Sequence, residues 1–195
     1  MRFLNKLRDY IRISKVGGIS RRYFVMNAFD GAMTVLGIVI AAYFSGMHEP
    51  SLIVSAGLGA SVAMGISGFS GAYMTEESEK NRKLNTLEKY MLKKLDNTMI
   101  GRANKFASLW AAIVDGLSPA LAALIVLIPF FLSMAALMPM VIAMQASISL
   151  TFLVLFFLGA YLGKISHRNM IVHGLKIVLA GFAVAVVLFL LKPVV

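Results

Sequence analysis

The sequence predicts an all-α, polytopic membrane protein with five transmembrane helices, a cytoplasmic N-terminus, a short N-terminal amphipathic helix and a helical cytoplasmic insertion between spans two and three. Three observations carry this. Hydrophobic residues fill 59% of the 195 positions and charged residues only 14%, against about 25% charged in an ordinary soluble domain. Five apolar stretches, 23–45, 52–74, 107–132, 141–162 and 171–191, each reach the roughly 20 residues a helix needs to cross the hydrocarbon core. Their apolar character is continuous rather than alternating, which favours helices over barrel strands.

The distribution of charge orients the chain. A net charge of +10 in a soluble protein would invite nucleic acid, but here all the basic residues except Lys176 sit in the segments that flank or connect membrane spans. Seven Lys and Arg precede the first span, eight lie between Lys80 and Lys105, and three more are Lys164, Arg168 and Lys176. The connections 46–51 and 133–140 contain none, and only Lys192 falls on that second side. Eighteen of the 19 basic residues therefore share one face, which the positive-inside rule places in the cytoplasm. No nucleic-acid partner is expected. The C-terminus is expected outside, and the whole of 1–195 reads as a single membrane domain.

Residues 1–18 set Phe3, Leu4, Leu7, Tyr10 and Ile11 on one helical face with Lys6, Arg8, Arg12 and Lys15 largely opposite. Such a helix lies in the membrane interface against anionic lipid, and Gly17-Gly18 is expected to end it. The first 22 residues are too long and too charged for the basic region of a cleaved signal, so the first span is expected to be retained.

That first span contains Asp30. A carboxylate in hydrocarbon costs at least ~2.5–3.5 kcal/mol on insertion scales and normally faces a cavity, a partner or an ion path. Residues three and four apart share a helix face, so Met26, Asn27, Asp30, Met33, Thr34, Gly37 and Ala41 form one polar, thioether-bearing or small stripe. Phe29, Val35, Ile38 and Ile40 form the apolar side. Asp30 follows Arg22 by eight residues, about 12 Å along a helix.

In the second span, Gly57, Ser61, Gly65, Gly68 and Ala72 make a small-residue ridge that permits close helix approach, with Met64 beside it. Residues 75–106 are read as a cytoplasmic helical segment: an extension of the second span, then an amphipathic helix ending near Gly101, with Leu84, Leu87, Met91 and Leu95 as a packing stripe. Two readings stand for Glu76, Glu77 and Glu79. They are a solvated helix end paired with Lys80, Arg82 and Lys83, or they capture metal at the cytoplasmic mouth.

The third span contains Asp115, ten residues beyond Lys105 and so about 15 Å along the helix, a depth similar to that of Asp30. Pro119, four residues on, has no N–H and releases the Asp115 carbonyl. A freed carbonyl beside a carboxylate coordinates cations where backbone lines a cavity, and Ser118 adds a hydroxyl. Carboxylate oxygens suit hard divalent ions, while Met33 and Met64 shift the preference toward softer transition metals. The chain has no cysteine, which removes disulfides and thiolate ligands. His48, His167 and His173 have no spaced partners and read as surface residues. Paired aspartates can serve as acid and base, yet the usual Ser/His and His/Glu pairings are missing, so an enzyme is not expected. A non-transporting scaffold is the other alternative.

The ordered set Asp30-Gly31 with Thr34, Val35, Leu36 and Gly37, then Ile66, Ser67, Gly71 and Tyr73, resembles the vacuolar iron transporter family. The likeness continues through the Leu-Ile-Pro-Phe run at 127–130 and through Leu158-Gly159-Ala160 to Gly163, Lys164 and Ser166, over roughly residues 20–192. The resemblance implies a homodimer that exports Fe2+ or Mn2+ from the cytoplasm by proton antiport, with Asp30 lining the path at the dimer interface. The metal is then substrate, with no permanently bound cofactor, and the partners are divalent ions, protons and membrane lipid. The membrane would be the cell boundary in a prokaryote and vacuolar in a eukaryote. Two departures stand out. Gly68 and Ala72 occupy positions where the family usually has Met and Glu, and 75–106 is a reduced metal-binding region whose glutamates are Glu76, Glu77, Glu79 and Glu88. The expected metal set is Asp30, supported by Met33, Met64 and Asp115, with Glu76, Glu77 and Glu79 at the mouth.

Overall fold

The computed structural model describes residues 2–14, 16–47 and 49–191. Among them the chain forms α1 (Arg2–Ser14), α2 (Val16–Phe44), α3 (Pro50–Met91), α4 (Met99–Met134), α5 (Met140–Ile165) and α6 (Met170–Leu190), with no strand. The helices α2 to α6 are each long and apolar enough to cross a membrane; the protein is an integral, multi-pass membrane protein. Lys15, His48 and Lys192, and the side chains of Phe3, Leu4, Lys6 and Leu7 in the expected α1 stripe, lie outside the described residues.

Two helix boundaries differ from the sequence expectation. Gly17 and Gly18 do not end a helix but lie within α2, in open space. The separate amphipathic helix expected to end near Gly101 does not form, because α3 runs unbroken to Met91 through a stretch, 72–91, without Gly or Pro, and Gly101 lies in α4. Leu92, at φ 49°, turns the chain. Glu88 Oε1 then accepts from the Leu95 N–H at 2.6 Å, and the Thr98 hydroxyl caps the third residue of α4, the Gly101 N–H, at 3.5 Å. Gly101 is glycine for space: a Cβ there would lie 2.7 Å from the Leu95 carbonyl oxygen.

Two compact units are present, Met1–Phe24 with Gly65–Leu117 and Val25–Met64 with Ser118–Val195. In the first, the Tyr10 ring of α1 meets Phe106 of α4 at 5.9 Å, and Lys80 Nζ of α3 donates to the Ser14 carbonyl at 3.4 Å. Helices α3 and α4 cross antiparallel at glycine on glycine: a Cβ on Gly65 would lie 3.0 Å from the Gly116 carbonyl oxygen. Within a membrane, apolar burial does not drive helices together, so contact rests on such close backbone approach and dispersion.

The second unit holds the apolar core. Ala32, Val35 and Val39 of α2, Ala123, Val126, Leu127 and Phe130 of α4, and Ala143 and Leu155 of α5 are fully buried there. The Ser147 hydroxyl of α5 donates to the Val126 carbonyl at 2.9 Å. That bond both satisfies a buried hydroxyl and ties α5 to α4. Helix α6 starts under an Asn169 cap, whose side chain accepts from the Ile171 and Val172 N–H groups at 2.9 and 3.3 Å.

Candidate functional site

In the first unit the fold buries two carboxylates. Asp115, 6% exposed, faces α3 where Gly68 has no side chain: a Cβ built on Gly68 would lie 2.8 Å from Asp115 Oδ2 and 3.3 Å from the Asp115 carbonyl oxygen. The carbonyl that Pro119 deprives of its helical donor and the carboxylate of the same residue thus point to one spot. Glu76, 7% exposed, accepts from the Tyr23 hydroxyl at 3.0 Å. Asp115 lies near enough for its charge to act on the same phenol. Tyr23, Glu76 and Asp115 therefore form an acidic cluster drawn from α2, α3 and α4.

The other two glutamates are engaged separately. Glu77 accepts from the Tyr73 hydroxyl at 3.2 Å, and Glu79 forms a 3.0 Å ion pair with Lys83 one turn away. Lys83 holds the exposed Glu79 carboxyl below the usual carboxylate range through a hydrogen bond and its charge. No three His, Asp or Glu side chains among the described residues converge on one metal-sized position. Of the glutamate trio, then, only Glu76 joins a second acid.

In the second unit Asp30 is exposed on the surface of α2, on a line with exposed Met26 and Ala41. Among the described residues its carboxylate has no hydrogen-bond or ion-pair partner. The helix is held in place behind it: a Cβ on Gly31 would lie 2.6 Å from the Pro119 Cα, so the Asp-Gly pair combines an outward acid with an inward backbone contact. The Thr34 hydroxyl donates to the Asp30 carbonyl at 2.8 Å and meets Met64 Sδ at 3.5 Å, which places one expected sulfur one turn from the acid. Met33 turns elsewhere. It packs on the core, with its sulfur 3.7 Å from where a Gly181 Cβ would sit.

Helix α3 also has two small-residue ridges where the sequence reading singled out one. Gly57, Ser61, Gly65, Gly68 and Ala72 are buried or half-buried. Ser55, Gly59, Ala63, Ser67 and Gly71, four residues apart, are all exposed. Sequence reasoning also missed the Tyr23–Glu76 bond, although a count would have found it: the two residues are nearly equidistant in sequence from the 46–51 connection.

No family model matches the chain. It is 34% identical over 184 residues to Uncharacterized protein MJ0645 of Methanocaldococcus jannaschii, an alignment that covers 92% of this chain and 93% of the archaeal protein. With that identity over nearly the full length of both proteins, the chain belongs to the family of the M. jannaschii protein.

Proposed function

We propose that this protein is a homodimeric exporter of divalent transition metal, Fe2+ or Mn2+, that exchanges the ion for protons through carboxylates inside the bilayer. The observation that carries the reading is Asp30: an acid on a membrane-spanning helix, exposed on its own chain and unpaired among the described residues. Left against lipid, it would cost at least ~2.5–3.5 kcal/mol. A second copy across the exposed line of Met26, Asp30 and Ala41 on α2 removes that cost by enclosing a polar path between two Asp30 side chains. The exposed ridge of Ser55, Gly59 and Ala63 supplies a surface on which helices from two copies can approach closely.

The chemistry follows from the groups present. Two carboxylates with neighbouring hydroxyl and thioether groups suit an ion at the border of hard and soft, and the resemblance of residues 30–37 to vacuolar iron transporters favours ferrous iron and manganese. Metal and proton compete for the same carboxylate oxygens, so arrival of a proton from the far side releases the ion. Asp115 and Glu76 take the place of the Met and Glu that Gly68 and Ala72 do not supply. With the basic loops in the cytoplasm, metal enters from that side.

Proteoliposomes containing the purified protein and an internal pH dye test this: adding Fe2+ or Mn2+ should move protons in the opposite direction, and Mg2+ or Ca2+ should not. Proton movement that ignores metal contradicts the proposal. The close seating of Asp115 on Gly68 favours a second reading for that residue alone, a carboxylate that fastens α3 to α4. Under it, Asp115→Asn lowers thermal stability and leaves metal flux unchanged.

A further inference from the structure

The first unit contains a cavity of about 860 Å³ at the basic ends of α2 and α3, lined in part by Arg22, Tyr23, Glu76, Glu79, Arg82 and Lys83. Its acids are already engaged: Glu79 by Lys83 at 3.0 Å, and Glu76 by the Tyr23 hydroxyl at 3.0 Å. Lys80, which also lines it, is turned to the Ser14 carbonyl of α1 at 3.4 Å. Arg22 lies over the Tyr23 ring, 5.7 Å from its centroid. Among the described residues neither Arg22 nor Arg82 has a carboxylate partner, and all nine acids of the chain are described. Four cationic side chains against two carboxylates leave the cavity with a positive surplus, which attracts an anion.

The shape of the remaining charge narrows the anion. Two guanidinium groups present planar forks of N–H donors that match the oxygens of a phosphate, with the Ser78 hydroxyl on the same lining. The lining is also apolar at Ile19 and Met74, where the span begins. A ligand that fits both parts has a phosphate and a hydrocarbon chain. Basic pockets beside membrane helices bind such headgroups. We propose that this cavity is a specific site for the phosphate headgroup of an anionic phospholipid, clasped by Arg22 and Arg82, with its acyl chain leaving along Ile19 and Met74. The bound lipid would lie beside the α1–α3 contact that Lys80 makes.

The test uses the full chain in a neutral detergent and follows its thermal unfolding during titration with phosphatidylglycerol. A ligand that binds the folded state raises the midpoint. The expected result is a saturable rise that is weakened about tenfold or more in R22Q/R82Q and kept in K93Q/K94Q, which removes the same charge outside the cavity. Both arginines are exposed, so the double variant should unfold near the wild-type midpoint without lipid; the single variant R82Q repeats the titration should it not. An equal rise in wild type and R22Q/R82Q overturns the site. A matching, arginine-dependent rise with inorganic phosphate alone overturns the lipid assignment in favour of free phosphate.

Discussion

The Asp115 carboxylate occupies the notch that Gly68 leaves in α3, where a Cβ at position 68 would lie 2.8 Å from Oδ2 and the carboxylate would have to shift. An acid from the neighbouring helix fills the space that a side chain at this position would take. The glycine and the aspartate are thus one feature: neither residue can change size without moving the other.

Gly68→Ala therefore forces the carboxylate out of its seat. Overpacking of this kind costs about 1–3 kcal/mol, and the unfolding midpoint in detergent should fall by several degrees. Gly18→Ala, also in a helix but with nothing within 4 Å of the added methyl, should hold the midpoint or raise it slightly. Differential scanning fluorimetry of the two variants checks the contrast.

Tyr23→Phe removes the donor to a Glu76 carboxylate that is 7% exposed. An acceptor left buried without its partner costs about 1–3 kcal/mol. The variant should be destabilised by that amount, while Tyr43→Phe, on an exposed ring, should match wild type in the same unfolding assay.

The half-buried Glu77 and the exposed Glu79 should separate from the buried Glu76 in transport. Glu76→Gln is expected to slow metal flux at least about tenfold, as loss of a charged ligand usually does. Glu79→Gln, which breaks only the exposed pair with Lys83, should stay within about twofold, since exposed pairs contribute little, and so should Glu77→Gln, whose amide oxygen can still accept from the Tyr73 hydroxyl. Uptake of radioactive manganese into proteoliposomes measures all three.

Bulk on the outer ridge of α3 tests assembly. No atom lies within 4 Å of a Cβ on Gly59, so Gly59→Leu should leave the single chain folded. It should push apart two copies that meet there, and intersubunit cross-linking in detergent should fall to background, with the unfolding midpoint unchanged.

Much of the fold was legible because membrane helices write themselves in long apolar runs, and the five expected spans coincide with parts of α2 to α6, overrunning them by one residue at Ser45 and at Leu191. Gly101 misled because a glycine required for a close backbone approach looks, in sequence, like a helix stop. Gly17-Gly18 misled likewise, since two adjacent glycines can continue a helix. At the site, the 3.6-residue period set seven residues of α2 on one stripe, of which Met26, Asp30 and Ala41 are exposed while Asn27, Met33, Thr34 and Gly37 are half-buried. The same period could not divide the glutamates. Glu76, Glu77 and Glu79 are equivalent by composition, and only tertiary contact with Tyr23, Tyr73 and Lys83 distinguishes them. Nor could it separate Met33 from Met64, which lie on different helices and turn to different neighbours.

The central claim is that a cation passes the Asp30 carboxylate, and the most direct measurement is metal uptake by proteoliposomes carrying Asp30→Asn, which keeps the shape of the side chain and removes its charge. The account predicts Fe2+ and Mn2+ rates at least about tenfold below wild type in a variant that still folds and dimerises, equivalent to a loss of about 1.4 kcal/mol or more in the barrier. Transport by Asp30→Asn at the wild-type rate would contradict it.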